Sequence, residues 1–197
     1  MKKLTLIVCT ACIVFFSSCS GDAKKVVVMA SGTITVKDNV ITLDPSNRHN
    51  EQTIPVSGDK LIVKSPEGEV ELPVPGKGLY VLNLKKDTLV GSYQRVGAGE
   101  GEKKITREEL SRRVDSLSQL MAGTNTGGSG RNFNIPPNKV AKISENAEAE
   151  IIGPFRKLPG SYEAGKEHEI YKFYTNKEVV EIINRIKPLT ADSTSQQ

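Results

Sequence analysis

Apolar and polar residues alternate along much of the first half of the chain, and turn residues interrupt the alternation at short intervals. Thr33-Ile34-Thr35-Val36 and Val40-Ile41-Thr42-Leu43 flank Lys37-Asp38-Asn39, which predicts a hairpin. Lys60 to Lys64 and Glu69 to Val74 flank Ser65-Pro66-Glu67-Gly68, where Pro and Gly occupy the second and fourth positions that a type I turn favours. Glu69-Val70-Glu71-Leu72-Pro73-Val74 alternates strictly, as on a sheet with one wet face. Pro73 has no N–H for a ladder, which puts that strand at a sheet edge. Gly78 to Leu84 and Thr88 to Val96 predict a further hairpin across Lys85-Lys86-Asp87. Strands at this spacing over 26–96 read as a small antiparallel sandwich or barrel. Asp44 to Glu51, rich in polar residues, reads as a loop between strands.

The periodicity then changes. Gly97 to Glu102 opens a flexible linker over 97–104. Thr106-Arg107-Glu108-Glu109 is a capping box, and Leu110, Val114, Leu117 and Met121 recur at helical spacing up to a stop at Gly123. Residues 124–131 form a polar, Gly-rich loop, and Pro136-Pro137 starts an extended stretch. Val140 to Ile143, Ala149 to Ile152 and Glu169 to Tyr174 predict strands. Thr175-Asn176-Lys177-Glu178 is a second capping box, followed by a stripe of Val179, Ile182, Ile183 and Ile186 that Pro188 is expected to end. Residues 191–197 are a polar tail. The predicted class is β-rich α+β: a sandwich or barrel-like N-terminal half over 26–96, and a smaller α+β half over 105–190 with a terminal amphipathic helix.

The first nineteen residues follow a different pattern. Lys2 and Lys3 precede a 13-residue apolar run, Leu4 to Phe16, which is too short to span a bilayer as a helix. Ser17 and Ser18 then lead directly to Cys19, so residues 1–18 read as a secretory signal. Phe16-Ser17-Ser18-Cys19 resembles the lipobox of bacterial lipoproteins, with Phe16 where Leu is usual. The resemblance implies cleavage before Cys19, lipidation of its thiol, and a tether over 19–25. Each buried lipid methylene contributes about 0.8 kcal/mol, so a multiply acylated cysteine would stay on its membrane. In lipoproteins of the Bacteroidota an acidic run after the cysteine accompanies surface export. Asp22 followed by Lys24 and Lys25 departs from that pattern and implies an anchor in the cell membrane or outer membrane, facing the periplasm. The O-glycosylation triplets of the same phylum are similar to Asp87-Thr88-Leu89, Asp115-Ser116-Leu117 and Asp192-Ser193-Thr194, which implies Thr88, Ser116 and Ser193 as acceptors. The resemblance covers these short segments and does not extend to the body of the chain.

Charge and cysteine content narrow the chemistry. Cys9 and Cys12 fall inside the signal, so the chain after cleavage keeps only Cys19 and forms no internal disulfide. Loss of Lys2 and Lys3 lowers the formal charge from +4 to +2. No dense Lys/Arg cluster is interleaved with aromatics, which excludes nucleic acid as the expected partner. His49 and His168 are the only histidines, and neither lies in a metal-binding spacing, so no metal and no cofactor are expected. Glu167-His168-Glu169 reads as an exposed turn before a strand. Gly97-Ala98-Gly99-Glu100-Gly101 has no following Lys-Ser/Thr to make a phosphate loop. There is no G-x-S-x-G elbow.

These features predict a non-enzymatic binding or assembly module of the cell envelope, held on the membrane through Cys19. Its expected partner is another envelope protein, with a glycan as the second choice. A hydrolase acting on envelope polymer through acidic residues is the alternative, and a purely structural subunit of an envelope complex is another. The aromatics crowd toward the C-terminus, so Phe155, Arg156, Tyr171, Phe173 and Tyr174 are the candidate partner-binding residues. On a strand, Tyr171 and Phe173 would face one way and Tyr174 the other.

Overall fold

The computed structural model describes residues 23–94, 106–124, 126–127, 131–153 and 168–190. The signal, Cys19, the 97–104 linker and the 191–197 tail lie outside them.

The fold is β-rich with two helices, as the hydrophobic pattern predicts. The chain opens with two long strands, β1 (Lys24–Lys37) and β2 (Val40–Pro55), joined by a two-residue turn at Asp38-Asn39. Asp38 takes φ of 53°, the left-handed conformation that such tight turns require. β3 (Lys60–Ser65) and β4 (Gly68–Pro73) form the expected second hairpin. β5 (Gly78–Leu84) and β8 (Lys139–Ser144) complete a six-stranded sheet in the order β4-β3-β2-β1-β5-β8. The sheet curls until β4 and β8 approach each other, making a nearly closed barrel. β4, which carries Pro73, is one edge.

The β1–β2 ribbon bends sharply at Gly32. Ser31 pairs with His49 and Gly32 with Pro45, so Ser46, Asn47 and Arg48 are looped out. Gly32 has φ of 140°, and a Cβ there would collide with the Asp44 carbonyl. This corrects the loop expected over Asp44 to Glu51. The bulge takes up three of those residues, while the others continue the strand, because the ladder to β1 holds residues that a side-chain pattern reads as loop.

The hairpin expected between Gly78–Leu84 and Thr88–Val96 is also corrected. β5 pairs with β1 in parallel and with β8 antiparallel, whereas β6 (Leu89–Gln94) belongs to a second sheet. That sheet has the order β7-β6-β10-β9, built from β7 (Asn132–Ile135), β9 (Glu150–Ile152) and β10 (Ile170–Thr175). Strands from either side of 97–104 therefore mix: β8 joins the first sheet and β6 the second. Lys24 and Lys25, expected in the tether, already belong to β1.

Three cores follow from this arrangement. Inside the barrel, Val26, Val28, Ile41, Leu61, Val74 and Leu82 are fully buried. Between the sheets lie Val27, Met29, Leu79, Val81, Leu89, Tyr171 and Phe173. On the other face of the second sheet pack α1 (Arg107–Met121) and α2 (Asn176–Thr190), around Val90, Leu120, Val179 and Ile183. Both capping boxes form: Thr106 with Glu109, and Thr175 with Glu178. α2 continues past Pro188 to Thr190, a correction to the expected stop. So close to the helix end, the N–H that proline lacks costs a single intrahelical bond.

Candidate functional site

The barrel has two unlike ends. At one, Lys24 Nζ donates to the Gly58 and Val74 carbonyls at 2.6 and 2.7 Å and to Asp59 at 2.9 Å. Asn39 meets Ser57 there, and Tyr80 Oη donates to the Pro75 carbonyl, so the chain enters through a tied-down base. At the opposite end, the Gly32 bend, the β3–β4 turn, the end of β5 and Pro137-Asn138 surround a cavity of about 470 Å³. Its floor is Leu43, Val63, Leu72 and Leu84, and its charged rim is Glu67, Glu69, Lys85 and Lys86. The size and the apolar floor with a few polar groups match small-ligand and peptide-side-chain pockets in the mouths of barrels.

A group of charges sits beside this mouth, in the seam where the two sheets meet α2. Lys85 is 8% exposed. Burial pushes its ammonium below the usual lysine range, against the opposing pull of Glu178, Glu51 and Asp87. His49 Nε2 lies 3.9 Å from Glu51 Oε2, and the Glu51 side chain is 10% exposed. Burial, then Lys85, lowers the His49 pKa, while Glu178 opposes them. Asp87 organises the corner: its carboxylate accepts from the backbone N–H of Thr88 at 2.8 Å and of Lys177 at 3.1 Å. The second bond sets a negative charge at the N-terminus of α2, where the helix dipole favours it. Among the described residues, no group of three or more His, Cys, Asp or Glu side chains is placed to hold a metal ion.

The candidate residues disperse. Tyr171 and Phe173 are buried between the sheets, with Phe133 set edge-on to Tyr171 at 5.7 Å. They are core residues and present no surface to a partner, which corrects that part of the expected patch. Tyr174 does face the other way, half-buried against the helices with Lys172 Nζ 5.1 Å from its ring centre. Phe155 and Arg156 lie outside the described residues, as do Cys19 and Ser193. Thr88 is half-buried just before β6, and its carbonyl accepts from the Asn176 N–H at 3.1 Å. Ser116 is exposed on α1. His168 and Glu169, expected in an exposed turn, are half-buried, and Glu169 accepts the Tyr171 hydroxyl at 2.6 Å. Burial, and then that bond, raise the Tyr171 pKa.

The cavity itself was outside the sequence reading. Its one legible signal was the alternation in β4, which turns Val70 and Leu72 to the same face. No protein family, curated protein or solved structure matches the chain. Among the described residues, no helix is long and apolar enough to cross a membrane.

Proposed function

We propose that the chain is a lipid-anchored protein of the cell envelope, facing the periplasm, that works as a non-enzymatic binding or assembly module. The observation that carries the binding role is the cavity of about 470 Å³ at the end of the barrel opposite Lys24. Protein interiors are packed to crystal density and keep few voids larger than a water molecule. An apolar floor left open in a barrel mouth is therefore a feature that a ligand or partner explains better than stability does. The anchor rests on the apolar run Leu4 to Phe16 and on Cys19, five residues before β1 begins.

The test has two parts. Cys19→Ala is expected to move the chain from the membrane to the soluble fraction or to leave unprocessed precursor; mature, membrane-bound protein would sink the anchor. Crosslinking in intact cells, followed by mass spectrometry of the purified tagged chain, is expected to yield one stoichiometric envelope protein. Glycan alone would turn the reading toward polymer binding.

One observation favours the alternative, a hydrolase acting on envelope polymer through acidic residues. Glu51 is nearly buried beside His49, and Glu178 adds to the field in the same seam. Purified envelope polymer is the substrate to try. Turnover lost on Glu51→Gln would move the protein into that class, and no turnover by the unaltered chain removes it.

A further inference from the structure

Two features meet on β4. Val70 has the same parity along the strand as Leu72, which packs inside the barrel, yet Leu72 is 6% exposed and Val70 47%. That exposure leaves the barrel-facing side of β4 only partly covered at its start, beside the cavity. β4 is also the end of its sheet. Its ladder partner is β3, and although β8, the other edge, approaches it to nearly close the barrel, no ladder joins the two. An edge strand offers a row of backbone donors and acceptors to an added chain. Between the start of β4 and the Pro137-Asn138 turn that precedes β8 lies the cavity, so the open ladder and the open core border one slot.

We propose that this slot receives an extended peptide segment of a partner protein, added as a strand along β4, with alternate apolar side chains covering Val70 and reaching Leu72 and Leu84. The proposal rests on the binding-module reading and names the chemistry of the partner. Strand addition draws affinity from main-chain hydrogen bonds and specificity from pockets for alternate side chains, and β4 with its cavity supplies both. An amphiphile could cover the floor but would leave the β4 edge unused.

Charge sets the expected flanks. Glu69 is engaged by Lys64 at 3.1 Å, and Lys85 lies in the field of Glu178, Glu51 and Asp87. That leaves Glu67 in the β3–β4 turn and Lys86 beyond β5 as the rim charges for an incoming segment. A basic residue near Glu67 and an acidic one near Lys86 would complement them. Lys60–Glu71 and Lys64–Glu69 pairs charge the strand's outer face and disfavour pairing between two copies of this edge.

The experiment titrates synthetic heptapeptides of alternating Val or Leu with Thr, carrying Lys at one end and Glu at the other, onto the full chain in lipid nanodiscs. Fluorescence anisotropy is expected to show saturable binding. Val70→Asp, tolerated in a half-exposed position, is expected to weaken it about tenfold or more, and Val70→Thr less. Val180→Asp, on an exposed site of α2, should leave binding unchanged. Methylating alternate backbone nitrogens of the peptide, which removes its ladder donors, should also cost about tenfold. Binding that ignores Val70→Asp or N-methylation overturns the proposal. A chain that binds fluorescent dodecanoate but no peptide overturns the added strand and leaves the binding reading standing, whereas binding of neither probe removes both. A concentration-dependent dimer abolished by Val70→Asp would assign the slot to a second copy and likewise overturn it.

Discussion

Phe173 on β10 stands opposite Gly91 on β6, and a Cβ at that glycine would come within 2.4 Å of the Phe173 ring, closer than van der Waals contact allows. The missing side chain lets the ring lie across its neighbour and fill the space between the sheets, where it and Tyr171 are both buried. Burial of an aromatic side chain of this size contributes roughly 1.5–3 kcal/mol. Gly91→Ala must displace the ring and is expected to cost about 1–3 kcal/mol, read as a lower midpoint in urea unfolding. His49 makes a pH-dependent prediction at the same scale. Its folded pKa is lowered from 6.5, first by burial and then by Lys85. Below 6.5 the unfolded chain takes up a proton that the folded chain resists. The stability this residue contributes is thus complete above 6.5 and is lost as pH falls through the folded value. Melting curves across that window should fall less steeply with acid for His49→Gln than for the unaltered chain; parallel curves would show that the site does not hold the imidazole neutral.

At the scale of elements, the step from β5 to β6 decides the architecture, because it carries the chain from one sheet to the other. Asn83, fully buried, ties this step together. Its Nδ2 donates to the Asp87 carbonyl at 2.9 Å and the Ile135 carbonyl at 2.8 Å, and its Oδ1 accepts from the Lys85 N–H at 2.9 Å. Asn83→Ala strands three backbone groups whose burial without a partner costs about 1–3 kcal/mol each. The expected loss is on the order of 3 kcal/mol or more in thermal unfolding, with β7 released along with the bend. None of this was legible in Asn83-Leu84-Lys85-Lys86-Asp87, which looks like a hairpin turn because turn chemistry is local and the choice of sheet is not. The features that were legible are those a few neighbouring residues decide: the capping boxes at Thr106 and Thr175, the β3–β4 turn, and Pro73 on an edge. Long-range partners decided the rest. β1 turned the Asp44–Glu51 segment mostly into strand, and the second sheet took Tyr171 and Phe173 away from the surface patch that their clustering predicted. The cavity was hidden for the same reason, since its walls come from five separate parts of the chain.

For the whole molecule, the two ends of the barrel turn the anchor proposal into a statement about orientation. β1 and β5 run in parallel from Lys24 and Gly78 at the base to Ala30 and Leu84 near the mouth. Six steps of about 3.3 Å put roughly 20 Å between those levels. A lipid on Cys19 would sit five residues before Lys24, within about 18 Å of chain even when fully extended. The hydrogen bonds of Lys24 to Gly58, Asp59 and Val74 fix where that chain leaves the barrel. The base would then lie toward the membrane and the mouth away from it, so an incoming partner segment would arrive from the aqueous side. Cleavage before Cys19 and acylation of its thiol, as proposed, would leave the chain without another thiol, so single cysteines could be introduced and labelled selectively. With nitroxide lipids in the nanodisc, a fluorophore on Lys77→Cys at the base should be quenched more strongly than one on Lys86→Cys at the rim. Equal quenching would mean that the tether lets the barrel tumble and that the mouth has no fixed direction. Stronger quenching at Lys86 would point the cavity at the bilayer and make a lipid chain, instead of a partner's strand, the occupant its apolar floor is built to meet.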